Sequence, residues 1–144
     1  MAMEPAADPR AVARGELARL RGELAAGEAH AAAGRFGLAA RAGYDAIEAA
    51  GKAALRSGGV EPPRWVDVGP QLDEHRARFA ERLGGRLDAL IHCLRVAWEE
   101  REAGFECGVG RARAEQLYDD FDARCALDTA ARVLGMVEEL VDAR

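Results

Sequence analysis

The sequence predicts an all-α protein, because its residue usage, its apolar periodicity and its helix-boundary residues all indicate helices. The 144 residues include 32 Ala and 14 Leu, but only 9 Val, 2 Ile and 1 Thr. Ala, Leu, Arg and Glu favour helices, whereas a sheet would need more β-branched residues than this chain has. Four amphipathic segments with mostly short connections predict an up-and-down antiparallel four-helix bundle.

The first predicted helix begins at Asp8-Pro9, where Asp8 is the N-cap residue and Pro9 takes the first helical position. Residues 1–8 are expected to form a flexible N-terminal tail, and residues 9–144 a single helical-bundle domain. The apolar face of this helix follows the 3.6-residue period along Ala13, Leu17, Leu20 and Leu24. We expect the helix to end within residues 27–34.

The second predicted helix carries an apolar face built largely from small residues: Phe36, Ala40, Gly43, Ile47, Ala50, Ala54 and Leu55. Such a face would let a neighbouring helix, or the same helix of a second copy, approach closely; the residues concerned are Ala40, Gly43, Ala50 and Gly51. Residues 57–59, Ser-Gly-Gly, end the helix, and the prolines at 62 and 63 prevent it from resuming.

The third predicted helix runs from Gln71 to Trp98, after a loop in which Trp65, Val66 and Val68 are expected to pack over the end of the bundle. Gly84-Gly85 interrupts its pattern. This pair predicts either a kink or a complete break, which would give five helices in all.

The last predicted helix follows the glycine-rich residues 104–110 and runs from about Arg113 to Val141. Asp128 could cap a restart inside it. Its expected apolar positions are Leu117, Phe121, Leu127, Ala130, Leu134, Val137 and Leu140 or Val141.

Two stretches and the loop after them carry a family resemblance. Residues 34–40 read Gly-Arg-Phe-Gly-Leu-Ala-Ala, and residues 46–55 read Ala-Ile-Glu-Ala-Ala-Gly-Lys-Ala-Ala-Leu. A Pro-containing loop then leads into residues 66–72, Val-Asp-Val-Gly-Pro-Gln-Leu. Together with the order of predicted helices over about residues 10–142, this pattern resembles the HEPN family of small prokaryotic helical domains. The resemblance implies a bundle of four or five helices that dimerises through its helices.

The same resemblance implies membership of a group that includes RNA-cleaving toxins paired with nucleotidyltransferase antitoxins. Active members carry an R-x(4–6)-H motif near the end of the third main helix, and two copies face each other across the dimer. Arg101 matches the arginine by position, but residues 106–108 are Glu-Cys-Gly and contain no histidine. Arg86 and His92 satisfy the spacing, yet residues six apart on a regular helix point about 120° from each other. We therefore expect this ribonuclease motif to be degenerate.

Five arginines are candidate contacts for the phosphates of a nucleic acid: Arg78, Arg82, Arg86, Arg95 and Arg101. Arg78, Arg82 and Arg86 recur every four residues, which predicts a positive ridge on one helix face. The alternative is a solvated face balanced by carboxylates, and for Arg95 and Arg101 it is a set of surface ion pairs. The formal net charge of −5 excludes a broad basic surface but leaves room for such a local patch.

Histidine and arginine are the groups that metal-independent RNA cleavage would use as a base and as a cation. The three histidines, His30, His75 and His92, have no evident partner base, so structural or surface roles are favoured for all of them. The weak catalytic candidates are therefore Arg101, Arg86 and His92.

No metal site and no cofactor are expected. Of the acidic group Asp119, Asp120 and Asp122, only the first and last share a helix face. Cys93, Cys107 and Cys125 form no C-x-x-C pair and are expected to be thiols in a reducing compartment. The sequence has no secretion signal and no apolar run of membrane-spanning length, so we expect a cytoplasmic protein without a membrane partner.

Three functions follow from these observations. The first, which we prefer, is a non-catalytic or weakly catalytic HEPN-like homodimer that binds RNA, a nucleotide or a nucleotidyltransferase partner in a toxin–antitoxin or defence setting. The second is an active metal-independent HEPN ribonuclease toxin that uses Arg101, or Arg86 with His92, across a dimer. The third is a helical protein-interaction scaffold without a nucleic-acid role.

Overall fold

The computed structural model describes residues 7–64, 67–102 and 117–142. Within these ranges the chain forms six α-helices and no β-strand, which confirms the all-α prediction. The helices are α1 (Pro9–Ala32), α2 (Phe36–Ser57), α3 (Gly69–Glu74), α4 (Ala80–Leu83), α5 (Arg86–Arg101) and α6 (Asp120–Asp142). A 3-10 turn at Arg76–Arg78 lies between α3 and α4. The predictions for residues 1–6, Trp65, Val66, residues 104–110 and Arg113 fall outside the described residues.

The first two helices begin and end as predicted. The Asp8 side chain accepts a hydrogen bond from the Arg10 backbone N–H at 3.1 Å, as an N-cap residue should. Gly34 after α1 and Gly59 after α2 have φ values of +78° and +79°, which glycine adopts without strain. At the end of α2, the N–H of Gly59 donates to the Arg56 carbonyl and that of Val60 to the Leu55 carbonyl. This pattern is a Schellman motif, and it fixes the end of α2.

Ion pairs between the long helices show how they run relative to each other. Arg56 near the end of α2 lies 2.7 Å from Glu16 near the start of α1. Arg124 near the start of α6 lies 2.5 Å from Glu28 near the end of α1. The helix α1 is therefore antiparallel to both α2 and α6, which are parallel to each other. The helix α2 is central, because α1, α5 and α6 all pack against it.

The small residues of α2 let α6 approach it closely. A Cβ atom on Gly43 would lie 2.7 Å from the carbonyl carbon of Ala126 and 2.8 Å from its oxygen. A Cβ atom on Gly51 would lie 2.5 Å from a methyl group of Leu94 on α5. Ala40 and Ala50 are fully buried as well. These four small residues are thus covered by helices of the same chain, and the homodimer itself stays a prediction.

The third predicted helix is broken at two places rather than one. Gly84 has φ +55° and ψ −133°, so the Gly84-Gly85 pair is a complete break and not a kink. A second interruption, which the sequence analysis did not predict, is the 3-10 turn between α3 and α4. It allows the buried Phe79 ring to pack against the end of α2, where a Cβ on Gly58 would lie 2.8 Å from the ring. Burial of the ring outweighs the local preference for a continuous helix.

The start of the last helix also differs from the prediction. Leu117 and Phe121 were expected on the apolar face, but they are 60% and 73% exposed. Phe121 is two residues from the buried Ala123, which places it about 200° away around the helix. Asp128 does not cap a restart, because α6 is continuous through this residue. The Asp128 carboxylate instead accepts a hydrogen bond from Arg124 Nε at 3.0 Å. The later apolar positions, from Leu127 onward, are buried as predicted.

The contact between α2 and α6 gives the first testable prediction. Gly43→Ala should lower the free energy of unfolding by about 1–3 kcal/mol, because the new methyl group meets backbone atoms that cannot move aside. Gly22→Ala is the matched control, since a Cβ there meets nothing within 4 Å; it should be neutral or stabilising by up to about 1 kcal/mol. Urea denaturation measures both changes. Equal stability of the two variants would contradict the close approach.

Candidate functional site

Arg101 is held against α2 by two carboxylates. Its Nε lies 3.1 Å from Asp45 Oδ1, and its Nη1 contacts Glu48 Oε2 as an ion pair. The Arg101 side chain is only 20% exposed. On the other side of Glu48, Lys52 Nζ lies 3.3 Å from the Glu48 carboxylate and donates to the Arg64 carbonyl. This chain of contacts makes Arg101 a clamp between α5 and α2.

Arg86 and His92 are not brought together within the chain. Arg86 is the first residue of α5, and its Nη1 lies 2.6 Å from Glu139 Oε2 on α6. Its Nη2 lies 3.4 Å from the Arg82 carbonyl oxygen. His92 is exposed and lies six residues further along the uninterrupted α5. Arg101 and the Arg86/His92 pair therefore stay predictions as catalytic groups, and no geometry in the monomer supports them.

His92 lines a groove of about 230 Å³ between α5 and α6, with α2 as its floor. The groove is lined by Tyr44, Ile47, His92, Cys93, Val96, Ala97, Cys125, Ala126 and Thr129. Burial, together with the nearby Glu100 carboxylate, raises the pKa of Tyr44 well above its usual value, so its hydroxyl stays protonated. The groove thus combines apolar walls with the protonated Tyr44 hydroxyl, the His92 imidazole and two thiol groups.

The predicted arginine ridge does not form on one helix face. Arg78 lies in the 3-10 turn, Arg82 lies on α4, and Arg86 lies on α5 beyond the break at Gly84. The break at Gly84 separates Arg86 from the helix of Arg82, and the Arg86 guanidinium pairs with Glu139 while one of its nitrogens reaches the Arg82 carbonyl.

Arg78 and Arg82 instead meet Arg10 of α1 around one concavity of about 350 Å³. The ends of α2 and α6 complete it, through Ser57, Gly58, Phe79 and Leu140. No carboxylate belongs to the described lining. The sequence analysis did not identify Arg10 as part of a site, because Arg10 lies far from Arg78 along the chain. Its only distinctive feature in the sequence is its position at the start of the first helix, two residues after Asp8.

The guanidinium groups of this concavity are partly satisfied by the protein. Arg78 Nη1 donates to the Gly58 carbonyl at 2.5 Å, which helps to cap the end of α2. Arg82 Nη1 is buried and has no hydrogen-bond partner in the part of the chain that the structure describes. Ser57 Oγ donates to the Ala54 carbonyl at 2.7 Å, so its proton is already used within α2. Among the described residues, no carboxylate forms an ion pair with Arg78 or Arg82 in this concavity.

The remaining charged candidates have local structural roles. Arg95 makes an exposed ion pair with Glu99, at 3.2 Å. Asp119 and Asp122 accept hydrogen bonds from each other's backbone N–H at 2.9 and 3.0 Å, which is a reciprocal cap for α6. The N–H of Asp122 holds the pKa of Asp119 below its usual value. Across the described ranges, no three His, Cys, Asp or Glu side chains are arranged to hold a metal ion.

The clamp at Arg101 generates a stability prediction. Arg101→Ala should lower the free energy of unfolding by about 1–3 kcal/mol, because it leaves two partly buried carboxylates without their cation. Arg95→Ala removes an arginine from the same helix but breaks only an exposed pair, so its effect should stay below about 0.5 kcal/mol. Urea denaturation at pH 7 compares them, and an Arg101→Ala protein as stable as the control would contradict the clamp.

The thiols of the groove give a chemical prediction. Iodoacetamide should modify Cys125 about tenfold faster than Cys93, because Cys125 is exposed whereas burial raises the pKa of the Cys93 thiol. Mass spectrometry of the tryptic peptides 87–95 and 125–132 follows each thiol, and peptide 102–111 reports Cys107, which lies outside the described residues. The two rates should converge in urea. Equal rates in the native protein would contradict the burial of Cys93.

No helix in the described ranges is both long and apolar enough to cross a membrane. The sequence matches no protein-family model, no curated protein and no solved structure.

Proposed function

We propose that this chain is a non-catalytic helical module that binds the phosphate groups of RNA or of a nucleotide. The binding site is the concavity of Arg10, Arg78 and Arg82. One observation carries the proposal: arginines from three separate elements line one concavity, and its described lining contains no carboxylate. Guanidinium groups bind phosphate oxygens with paired, charge-assisted hydrogen bonds, and phosphate is the ligand class for which arginine clusters are best suited.

The energetics of the concavity support an anionic ligand. Like charges that face one another without a counterion repel, and a buried guanidinium nitrogen without a partner has lost its hydration. Arg82 Nη1 is such a buried nitrogen, and it has no hydrogen-bond partner among the described residues. A phosphate in the concavity would supply the counterion that Arg78 and Arg82 lack among the described residues. Since the whole chain carries a net charge of −5, this attraction is local and not a property of the surface at large.

The arrangement of the catalytic candidates favours binding over cleavage. Arg101 is clamped between Asp45 and Glu48, and Arg86 is paired with Glu139. His92 lies apart from both along α5. The resemblance to the HEPN family supports RNA or a nucleotide as the ligand. A homodimer, a nucleotidyltransferase partner and a toxin–antitoxin or defence setting belong to the same proposal, and co-elution experiments test them.

A protein-interaction scaffold is the second candidate, and the exposed apolar side chains favour it. Val96 lines the groove between α5 and α6 and is exposed above it. Phe121 lies one helical turn before Cys125 on the same side of α6, and it is largely exposed. Large exposed aromatic residues are enriched at protein interfaces. In this alternative, the wild-type protein binds no RNA, and Phe121→Ser abolishes capture of a protein partner.

The phosphate site is tested with a fluorescent single-stranded RNA and inorganic phosphate as competitor. Arg78→Ala and Arg82→Ala should each weaken RNA binding by about tenfold and reduce its salt dependence, because each removes a charge-assisted phosphate contact. Arg19→Ala is the matched control, since Arg19 is an exposed arginine of α1 that faces Glu23. The control should keep its affinity within about twofold.

Two results would contradict the proposal. Affinity that is the same in Arg82→Ala, Arg78→Ala and the control would remove the concavity as the binding site. Cleavage of the RNA by the wild type, lost in His92→Ala or Arg101→Ala, would support the ribonuclease instead. Thermal unfolding of every variant shows whether a loss of binding comes from a loss of folding.

A further inference from the structure

The positive charge of the concavity does not extend to the neighbouring arginines of the chain. The arginines that flank it along the chain are already neutralised by carboxylates. Arg14 faces Asp8, Arg56 lies 2.7 Å from Glu16, and Arg86 lies 2.6 Å from Glu139. A nucleic-acid strand carries one phosphate for each nucleotide, so binding along a strand needs a row of cations. The described surface has a single positive point here instead of a row.

The concavity also offers no surface on which a base could stack. Proteins that bind single strands combine a positive groove with exposed aromatic rings. Phe79 is the aromatic residue of the described lining, and it is buried against Gly58. The other walls are arginines, Ser57, Gly58 and Leu140. The site is therefore built to recognise a phosphate and not the base attached to it.

From these two features we infer that the concavity selects a terminal phosphate monoester over an internal phosphodiester. The inference rests on the proposed function and names its ligand class: the phosphorylated end of an RNA, or a nucleoside monophosphate. A monoester carries a charge of about −1.5 to −2 at pH 7, whereas a diester carries about −1. It is attached through one oxygen only, so its other three oxygens can enter a concavity that a continuous strand would have to bridge.

The charge match favours the same ligand. Arg78 and Arg82 both face the concavity, and one N–H of Arg78 already serves the Gly58 carbonyl. A guanidinium group has five N–H donors, so each arginine can still donate to more than one phosphate oxygen. Three terminal oxygens accept these bonds better than the two free oxygens of a diester.

The experiment compares one short RNA in three forms: with a 5′-phosphate, with a 3′-phosphate, and with hydroxyl groups at both ends. Either phosphorylated form should bind the wild-type protein at least about tenfold more tightly than the unphosphorylated form at pH 7.5. The advantage should shrink below about pH 6, where the monoester dianion takes up one proton and becomes a monoanion. Arg82→Ala should abolish the advantage, and Arg19→Ala should preserve it.

Arg82→Lys provides a second variant if Arg82→Ala folds poorly. It keeps the charge but loses the planar pair of donors, so the advantage of a terminal phosphate should fall to an intermediate value. If all three RNA forms bind equally and Arg82→Ala weakens them equally, the terminal-phosphate inference is wrong while the phosphate-binding function stands. If none of the forms binds, both are wrong.

Discussion

The direct approach of α2 to α6 determines where the other helices can lie. Gly43 leaves room for the backbone at Ala126, so two parallel helices touch along the middle of the protein. The helices α1 and α5 then occupy the two sides of this pair, and each runs antiparallel to α2. Because α5 rests on α2 and makes little direct contact with α6, a groove remains between α5 and α6. That groove is a consequence of the small side chains in α2.

The end of α2 is the second organising feature, because it builds the candidate site. Gly59 turns the chain out of the helix, and Gly58 accepts the Phe79 ring against its bare Cα atom. Packing of that ring breaks the predicted third helix and leaves Arg78 and Arg82 on separate short elements. Their guanidinium groups can then converge with Arg10 in a way that consecutive turns of one helix would not allow.

Some positive charges of the protein are paired within the chain and stabilise the fold, whereas others are left for a ligand. Arg101 of α5 pairs with two carboxylates of α2. Lys52 of α2 pairs with Glu48 and donates to the Arg64 carbonyl, and burial lowers the pKa of Lys52. Their charges hold the end of α5 and the loop after α2 in place. Arg82 is different, because its buried nitrogen has no partner among the described residues. A ligand therefore gains more from Arg82 than from the arginine that the family resemblance selects.

Local sequence rules determined the helix class, the start of α1 at Asp8-Pro9, the end of α2 at Gly58-Gly59 and the buried faces of both helices. They succeeded because capping, backbone freedom of glycine and a 3.6-residue period act within a few residues. Only the tertiary structure decided that Arg10 joins Arg78 and Arg82, that Arg101 serves as a clamp, and that Phe121 faces solvent. These outcomes depend on contacts between residues that lie far apart along the chain, and no local sequence pattern shows which of these residues are close in space.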